Sequence, residues 1–245
     1  MSRTCIEVGN TTVKIARPTP DGRWTIERTN GVQSGLNRLK RYLPSERILL
    51  APVAAERGDE LSGRMTDEGI DHEVITREHY SDFLAGSYDT PETLGLDRIL
   101  NLKGLRGDGV VISCGTCITV DLRFQGRPYF GGILPGYATA AQAMADAVPS
   151  LPKARLDGEF TIPSRTSSGA VNLGLLVGTT EAALGIARHL INATGASPPE
   201  IPLIATGGGA AILVEVLRKL KKIEQWPIKE PIVVPGLVFE GMVSS

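Results

Sequence analysis

The chain has 245 residues, a length that suits one large domain or two small ones. Of these residues 42% are hydrophobic and 22% charged, the composition of an ordinary globular protein. Its formal net charge of −1 gives no support for a nucleic acid or an anionic membrane as a partner. We find no apolar run long enough to cross a bilayer and no leader after Met1. The three cysteines cannot form a disulfide framework, and we therefore expect a cytoplasmic protein.

The first part of the chain is predicted to alternate strands and helices. Leucines recur at helical spacing in Ser34–Leu43 with basic residues opposite, which predicts an amphipathic helix, and Pro18–Gly22 predicts a turn. The predicted elements in order are strands Thr4–Val8, Thr12–Arg17 and Arg23–Arg28, helix Ser34–Leu43, strand Arg47–Val53, helix Glu56–Asp67 and strand His72–Ile75.

A further helix is predicted to begin after Thr90, which is a suitable N-cap residue, and Pro91 would occupy its first position. This helix would carry Asp97 and Arg98 and run to about Gly104.

The second part of the chain repeats the pattern of the first. Its predicted elements are strands Val110–Ser113, Cys117–Phe124 and Pro128–Leu134, helix Ala138–Ala147, the long helix Val171–Ala193, strand Ile201–Ala205, helix Ala210–Lys221, strand Pro231–Val234 and helix Leu237–Met242. Because both parts share a β-β-β-α-β-α order, we predict a tandem duplication with halves 1–107 and 108–245 and a site in the cleft between them.

Two loops of one type stand out in these halves. Gly9–Thr12 and Cys114–Thr116 each join two strands through a short polar turn that contains glycine. Either loop alone is as well explained as an ordinary hairpin. As a pair they favour a nucleotide-binding fold, since their backbone N–H groups and threonine hydroxyls suit a polyphosphate and Lys14 adds a positive charge.

Other motifs are ambiguous from their residues alone. Asp97 and Arg98 are either a surface ion pair or a general base beside a guanidinium that binds an anionic substrate group. Gly131–Gly136 is either a glycine-bounded strand end that leads into a helix or simply a turn. Thr206–Gly209 is a glycine-rich turn whose bare backbone would allow an adenosine to approach. Cys114 and Cys117 have Cys-x-x-Cys spacing, but we interpret them as small packing residues because no second ligand pair lies nearby in sequence.

The order and spacing of these pieces resemble those of the type III pantothenate kinases, in the superfamily that joins acetate and sugar kinases, heat-shock ATPases and actin. The resemblance covers essentially the whole chain. Its motifs, in family order, are Glu7–Lys14, Tyr88–Pro91, Gly95–Arg98, Gly115–Thr119, Gly131–Gly136, Gly174–Gly178 and Thr206–Gly208. It implies a duplicated ribonuclease H-like (actin-like ATPase) α/β fold with a cleft between the halves.

The resemblance also implies an activity, the phosphorylation of pantothenate by ATP with Mg²⁺, which is the first step of coenzyme A biosynthesis. Asp97 would be the base that takes the proton of the primary hydroxyl of pantothenate. The implied ATP-binding residues are Glu7, Gly9, Asn10, Thr11, Lys14, Gly115, Thr116, Thr119, Gly207 and Gly208. The implied pantothenate contacts are Tyr88, Gly95, Leu96 and Arg98, with Ser167 reaching across from a second subunit of a homodimer whose interface includes the long helix.

Two positions depart from the family pattern. Glu7 stands where the first loop of the family begins with aspartate, and Ser113 stands where the family has an aspartate for a monovalent cation such as K⁺. Glutamate keeps the charge but moves it by one methylene, whereas serine removes the charge. Phosphoryl transfer depends on positioning and on charge neutralisation, so these departures bear on turnover and on cation dependence.

Three hypotheses follow from the sequence. The first is a pantothenate kinase, favoured because Asp97 and Arg98 are retained. The second is a catalytically impaired relative that acts as a ligand-binding or regulatory protein, motivated by Glu7 and Ser113. The third is a kinase of the same superfamily that acts on another small hydroxylated substrate.

Overall fold

The computed structural model describes residues 3–41, 47–196, 201–224 and 231–244. They form two compact units: one comprises the chain up to Arg106 together with the closing segment from Gly236, and the other is Gly107–Pro235. Each unit contains a five-stranded sheet with parallel and antiparallel neighbours. The predicted α/β class is confirmed.

The sheet of the first unit has the order β3-β2-β1-β4-β5. Its strands are β1 (Cys5–Val8), β2 (Val13–Pro18), β3 (Trp24–Thr29), β4 (Ile48–Ala51) and β5 (His72–Val74). β1 pairs antiparallel with β2 and parallel with β4. All four residues of β1 and of β4 are buried, as expected of central strands that are covered on both faces.

Helices α1 (Val32–Lys40) and α2 (Ala55–Asp67) pack against this sheet, and α3 (Ser81–Leu84) and α4 (Leu96–Lys103) follow. The apolar faces of α1 and α2 pack with the strands in one core that includes Leu36, Leu39, Leu61 and Met65. α1 begins earlier than predicted, and its predicted end at Leu43 lies outside the described residues.

The single helix predicted from Thr90 to Gly104 is wrong. A 3-10 turn at Pro91–Thr93 is followed by extended backbone, and α4 begins only at Leu96. The break has a specific cause: Arg77 Nε donates to the carbonyl oxygen of Leu94 at 2.6 Å, so that this carbonyl is directed out of the helical ladder. Arg98 N bonds Gly95 O instead. The sequence also missed α3 and the 3-10 turn Arg77–Tyr80 before it.

The second unit repeats the arrangement of the first, with the sheet order β10-β9-β6-β7-β8. Its strands are β6 (Gly109–Cys114), β7 (Cys117–Phe124), β8 (Arg127–Pro135), β9 (Leu203–Thr206) and β10 (Ile232–Val233). β6, β7 and β8 are antiparallel neighbours, and β6 is parallel to β9 as β1 is to β4. The predicted duplication of the fold is confirmed.

Among its described residues, this unit has the helices α5 (Tyr137–Ala147), α6 (Ser167–Ala193) and α7 (Ala210–Glu224). α6 begins before the predicted Val171 because Thr166 caps it, its side chain accepting a hydrogen bond from Gly169 N at 3.0 Å.

The prediction that no apolar run could span a bilayer is wrong for α6. The helix has 27 residues, and an 18-residue window within it has a mean hydropathy of 1.4, so it is long and apolar enough by length and composition. A helix in the core of a globular protein can have the same length and composition. α6 packs against β7, β8 and α7, and it places Leu176, Ala183 and Leu184 at 0% exposure in the core.

Helix α8 (Leu237–Val243) closes the chain and packs on α4 in the first unit. Its Phe239 ring lies 5.6 Å from that of Trp24, centroid to centroid. The division into domains 1–107 and 108–245 stays a prediction, but the compact first unit includes this helix. The two helices approach closely at Gly104 and Gly241, where an added Cβ would overlap the backbone of the other helix.

This close approach predicts that Gly241→Ala destabilises the protein. Its Cβ would overlap the Leu100 carbonyl oxygen, and overpacking of this kind costs about 1–3 kcal/mol. Urea denaturation should show the loss of unfolding free energy. Gly63→Ala on α2 is the matched control, since nothing lies within 4 Å of its Cβ position, and it should gain roughly 0.5–1 kcal/mol from the lower entropy of the unfolded chain. Equal stabilities for both variants would contradict the packing argument.

Candidate functional site

The first predicted phosphate loop is a tight connection between β1 and β2. Gly9 N donates to Thr12 O at 2.9 Å and closes the turn, which leaves Asn10 and Thr11 exposed at its tip. The loop follows the carboxyl end of β1, which is parallel to β4, and this end of a sheet is where α/β proteins commonly bind ligands.

Glu7 and Lys14 form an ion pair at the base of this loop. They lie directly opposite each other on β1 and β2, so their side chains share one face of the sheet. Lys14 Nζ is 2.8 Å from both carboxylate oxygens of Glu7, and Glu7 is only 7% exposed. A nearly buried carboxylate requires such a partner, and the pair fixes the ammonium group beside the loop.

Asp97 and Arg98 lie on the first turn of α4, in the same unit. Asp97 is half-buried where the helix dipole favours a carboxylate, and a Cβ on Gly95 would be 2.7 Å from its Oδ1. A larger residue at Gly95 would therefore require this carboxylate to shift. Arg98 is 4% exposed, so the interpretation of these two residues as a surface ion pair is wrong.

Two other predicted pantothenate contacts differ in exposure. Leu96 is 3% exposed and belongs to the core, so only its backbone can meet a ligand. Tyr88 is half-buried on the segment between α3 and the turn at Pro91–Thr93.

The second predicted phosphate loop joins β6 to β7 at Gly115 and Thr116. Gly115 N donates to Cys117 O at 2.9 Å, and the carbonyl oxygen of Thr116 accepts from Gly136 N at 2.9 Å and from Thr139 Oγ1 at 2.6 Å. A Cβ on Gly136 would overlap the Gly115 carbonyl oxygen. The start of α5 therefore holds this loop through its backbone.

The glycine turn before α7 meets the same strand end. Gly209 N donates to Cys114 O at 2.8 Å, and Gly207 has a φ of +84° with its Cβ position 2.5 Å from that oxygen. A positive φ and this close approach both favour glycine. The structure thus brings Gly207 and the exposed Gly208 next to the loop that carries Thr116.

Ser113, the position where the resemblance implies a cation ligand, lies between two threonines. Its register partners are Thr119 on β7 and Thr206 on β9, which gives three hydroxyl side chains across three strands. Thr206 Oγ1 donates to Val234 O at 2.7 Å. Asp121 is 2% exposed, and its Oδ1 accepts from Gly131 N at 3.1 Å. The described residues contain no group of three His, Cys, Asp or Glu side chains suited to a metal ion.

The two cysteines of the Cys-x-x-Cys pair have different environments. Cys114 is 1% exposed in the core, and burial raises the pKa of its thiol to about 12. Cys117 is exposed on the loop. A redox or metal pair needs two thiolates available together, and only one of these thiols is accessible.

Ser167 is the first residue of α6 and is exposed. The neighbouring hydroxyl of Thr166 is already used to cap the helix. Further along, α6, α5 and the end of β8 line an open apolar groove of about 320 Å³. Its lining includes Leu134, Met144, Gly174 and Gly178.

Sequence reasoning missed three side chains that hold these loops. Arg77 bonds the carbonyl of Leu94 before the Asp97 turn, Thr139 bonds Thr116, and Arg57 bonds the first loop. Each recognises a backbone carbonyl, and no sequence pattern marks such a partner.

The duplicated fold and its two glycine loops define the actin-like class of α/β proteins. Two solved structures share this fold. A conserved putative Baf family transcriptional activator from Campylobacter jejuni has a TM-score of 0.64 at 19% identity, covering 98% of this chain and 95% of that chain. Ethanolamine utilization protein EutJ from Carboxydothermus hydrogenoformans has a TM-score of 0.55 at 14% identity, covering 100% of this chain and 89% of that chain.

Sequence comparison identifies the family within this class. The family model of type III pantothenate kinase matches residues 4–189. Similar curated proteins named type III pantothenate kinase are those of Halorhodospira halophila, 30% identical with 86% of this chain and 88% of the relative covered, and of Nitrosococcus oceani, 28% identical with 87% and 85% covered. The chain belongs to the type III pantothenate kinase family.

Proposed function

We propose that this protein is a cytoplasmic enzyme that phosphorylates pantothenate to 4′-phosphopantothenate with ATP, the first step of coenzyme A biosynthesis. The observation that carries the proposal is the extent of the family match, which runs from residue 4 to residue 189 and so includes both loops and Asp97. The geometry of the loops supports it, since each presents a tight backbone turn at a strand end.

In this proposal the two loops share the phosphates of ATP. The first supplies Gly9, Asn10 and Thr11 above the Glu7–Lys14 pair, and the second supplies Gly115 and Thr116, with Thr119 behind them. Gly207 and Gly208 let the backbone approach the adenosine. Backbone N–H groups and one ammonium are suited to bind phosphates.

The same proposal requires Mg²⁺ with ATP. The residues fit this requirement, because Mg²⁺ keeps several waters and is usually held by substrate phosphates and one or two carboxylates. Glu7 is the acidic side chain nearest the first loop in sequence, and Lys14 already binds both of its oxygens. When bound, Mg²⁺ would neutralise charge on the phosphates.

Asp97 acts as the general base in this proposal. Its carboxylate would accept the proton of the primary hydroxyl of pantothenate as that oxygen attacks the γ-phosphorus of ATP. Tyr88, Gly95, Leu96 and Arg98 would contact pantothenate, with Leu96 acting through its backbone because its side chain is buried.

The assignment of Asp97 predicts that Asp97→Asn loses most turnover, by roughly 100- to 10,000-fold, with little change in ATP binding or in the folded state. A coupled assay of ADP release with and without pantothenate measures it. Asp67→Asn, at the exposed end of α2, is the control and should retain full turnover. An Asp97→Asn variant that turns over at the parental rate would refute the assignment.

The same assay tests the alternative functions. Two features favour an impaired relative that binds nucleotide. Lys14 bonds both carboxylate oxygens of Glu7, so it must give up or share these hydrogen bonds to bind a phosphate. Ser113 is uncharged. Nucleotide binding without turnover would support that alternative. Turnover only with other alcohols would support a different substrate.

A homodimer is part of the proposal. α6 buries one face in the core while Gly174 and Gly178 on another face line the apolar groove. Within the described residues, no atom outside the local turns of α6 lies within 4 Å of their Cβ positions. An apolar face of this kind suits an isologous two-fold interface. Ser167 at the exposed start of α6 would reach the substrate of the second subunit.

This interface predicts that Gly178→Glu converts a dimer to a folded monomer with lower activity, because a charge would be buried at the groove. Sedimentation at micromolar protein measures the change. Gly63→Glu, at a similarly open glycine on α2, is the matched control and should remain dimeric. A parent that is monomeric yet phosphorylates pantothenate would contradict both the interface and the role of Ser167.

The hydroxyl cluster at Ser113 predicts weak dependence on K⁺. A carboxylate offers a full charge to a hard cation, whereas a hydroxyl offers only a dipole, and site charge strongly sets affinity. Titration of activity with K⁺ against Na⁺ should show little K⁺ activation in the parent and more in Ser113→Asp. Strong activation of the parent that the substitution leaves unchanged would show that Ser113 is not the cation position.

A further inference from the structure

Arg57 makes two hydrogen bonds to the backbone of the first loop. It lies on the first turn of α2 and is half-buried. Its Nη1 donates to Gly9 O at 2.6 Å and also to the next carbonyl oxygen, that of Asn10. One guanidinium nitrogen thus binds two consecutive carbonyls of the loop.

This contact fixes the direction of two peptide planes. A trans peptide is planar with its C=O and N–H pointing in opposite directions. Because both carbonyls turn toward one nitrogen, the N–H groups of the same two peptides, those of Asn10 and Thr11, turn to the other side of the loop. In an extended strand, consecutive peptides would instead alternate. Successive N–H groups that point the same way form an anion-binding concavity.

The position of Arg57 is itself fixed by backbone contacts. Ala54 N donates to Val8 O at 2.8 Å, which joins the start of α2 to the end of β1. On the following turn, a Cβ on Gly58 would overlap Pro52, so glycine permits the helix to lie this close to the end of β4. Arg57 extends from a helix turn that is anchored on both sides.

We propose that Arg57 is a positioning residue for nucleotide binding: it holds the carbonyls of Gly9 and Asn10 so that the N–H groups of Asn10 and Thr11 face the phosphates of ATP. The role is distinct from that of Lys14, whose charge is paired with Glu7. The proposal for Arg57 rests on the proposed function, because that function identifies the bound anion as ATP. The orientation of the loop does not depend on which alcohol is phosphorylated.

The test is Arg57→Met, which keeps much of the length of the side chain but has no donor. ATP affinity, measured by calorimetry, should fall about 10- to 100-fold, the range expected for hydrogen bonds to a charged group. The KM for ATP should rise by a similar factor while the KM for pantothenate changes little. The amide order parameters of Asn10 and Thr11 should fall from those of rigid backbone toward those of a flexible loop.

Arg64→Met is the matched control. It lies on the same helix and bonds Glu60 and Gln33 rather than the loop, so its ATP affinity and loop order parameters should equal those of the parent. Arg57→Met with parental ATP affinity, or with unchanged order parameters at Asn10 and Thr11, would overturn the proposal. If Arg57→Met does not fold, Arg57→Lys is tested instead. Its single ammonium should bind the two carbonyl oxygens less well than the guanidinium does, so its ATP affinity should be lower than that of the parent.

The two proposals fail in different ways. A parent that binds ATP but does not phosphorylate pantothenate would refute the proposed function, while the comparison of ATP affinities still tests Arg57. A parent that phosphorylates pantothenate with an Arg57→Met variant of equal ATP affinity would refute only the role of Arg57.

Discussion

Backbone packed directly against backbone at the end of β6 is the constraint on which the second loop depends. The carbonyl oxygen of Cys114 accepts a hydrogen bond from Gly209 N and is in close contact with Gly207. Gly136 is in close contact with Gly115. Three segments far apart in sequence therefore meet without side chains between them. A Cβ at Gly136 or at Gly207 would overlap the facing backbone and force these segments apart. The loop geometry is therefore set by the fold of the whole unit and not by local turn preference.

The first loop is organised differently, by charged side chains. Lys14 compensates the nearly buried Glu7 from the neighbouring strand, and Arg57 holds the loop carbonyls from α2. Breaking either contact would leave a polar group without its partner in a partly buried site, which costs more than the contact gains. The extra methylene of glutamate thus changes the position of a charge that already has a structural role.

The sequence predicted the repeated strand order well because the strands carry strong local signals. β7 is predicted with its observed bounds, and glycine between apolar runs located both loops. The prediction failed where distant groups decide the local structure. The helix predicted from Thr90 is broken because Arg77 Nε donates to the carbonyl oxygen of Leu94. Arg57 escaped notice for the same reason, since its partners are backbone oxygens of another element.

The return of α8 to the first unit also determines the order in which the chain can mature during synthesis. The second unit is a continuous segment, Gly107–Pro235, whereas the first needs residues from both sides of that segment. A chain that emerges from the ribosome at about 5–20 residues per second can therefore complete the second unit before the first. Until α8 arrives, the surface of α4 and the Trp24 ring lack their covering helix. The arrangement of the two units along the chain therefore permits the reverse of the usual order, in which the N-terminal domain folds first.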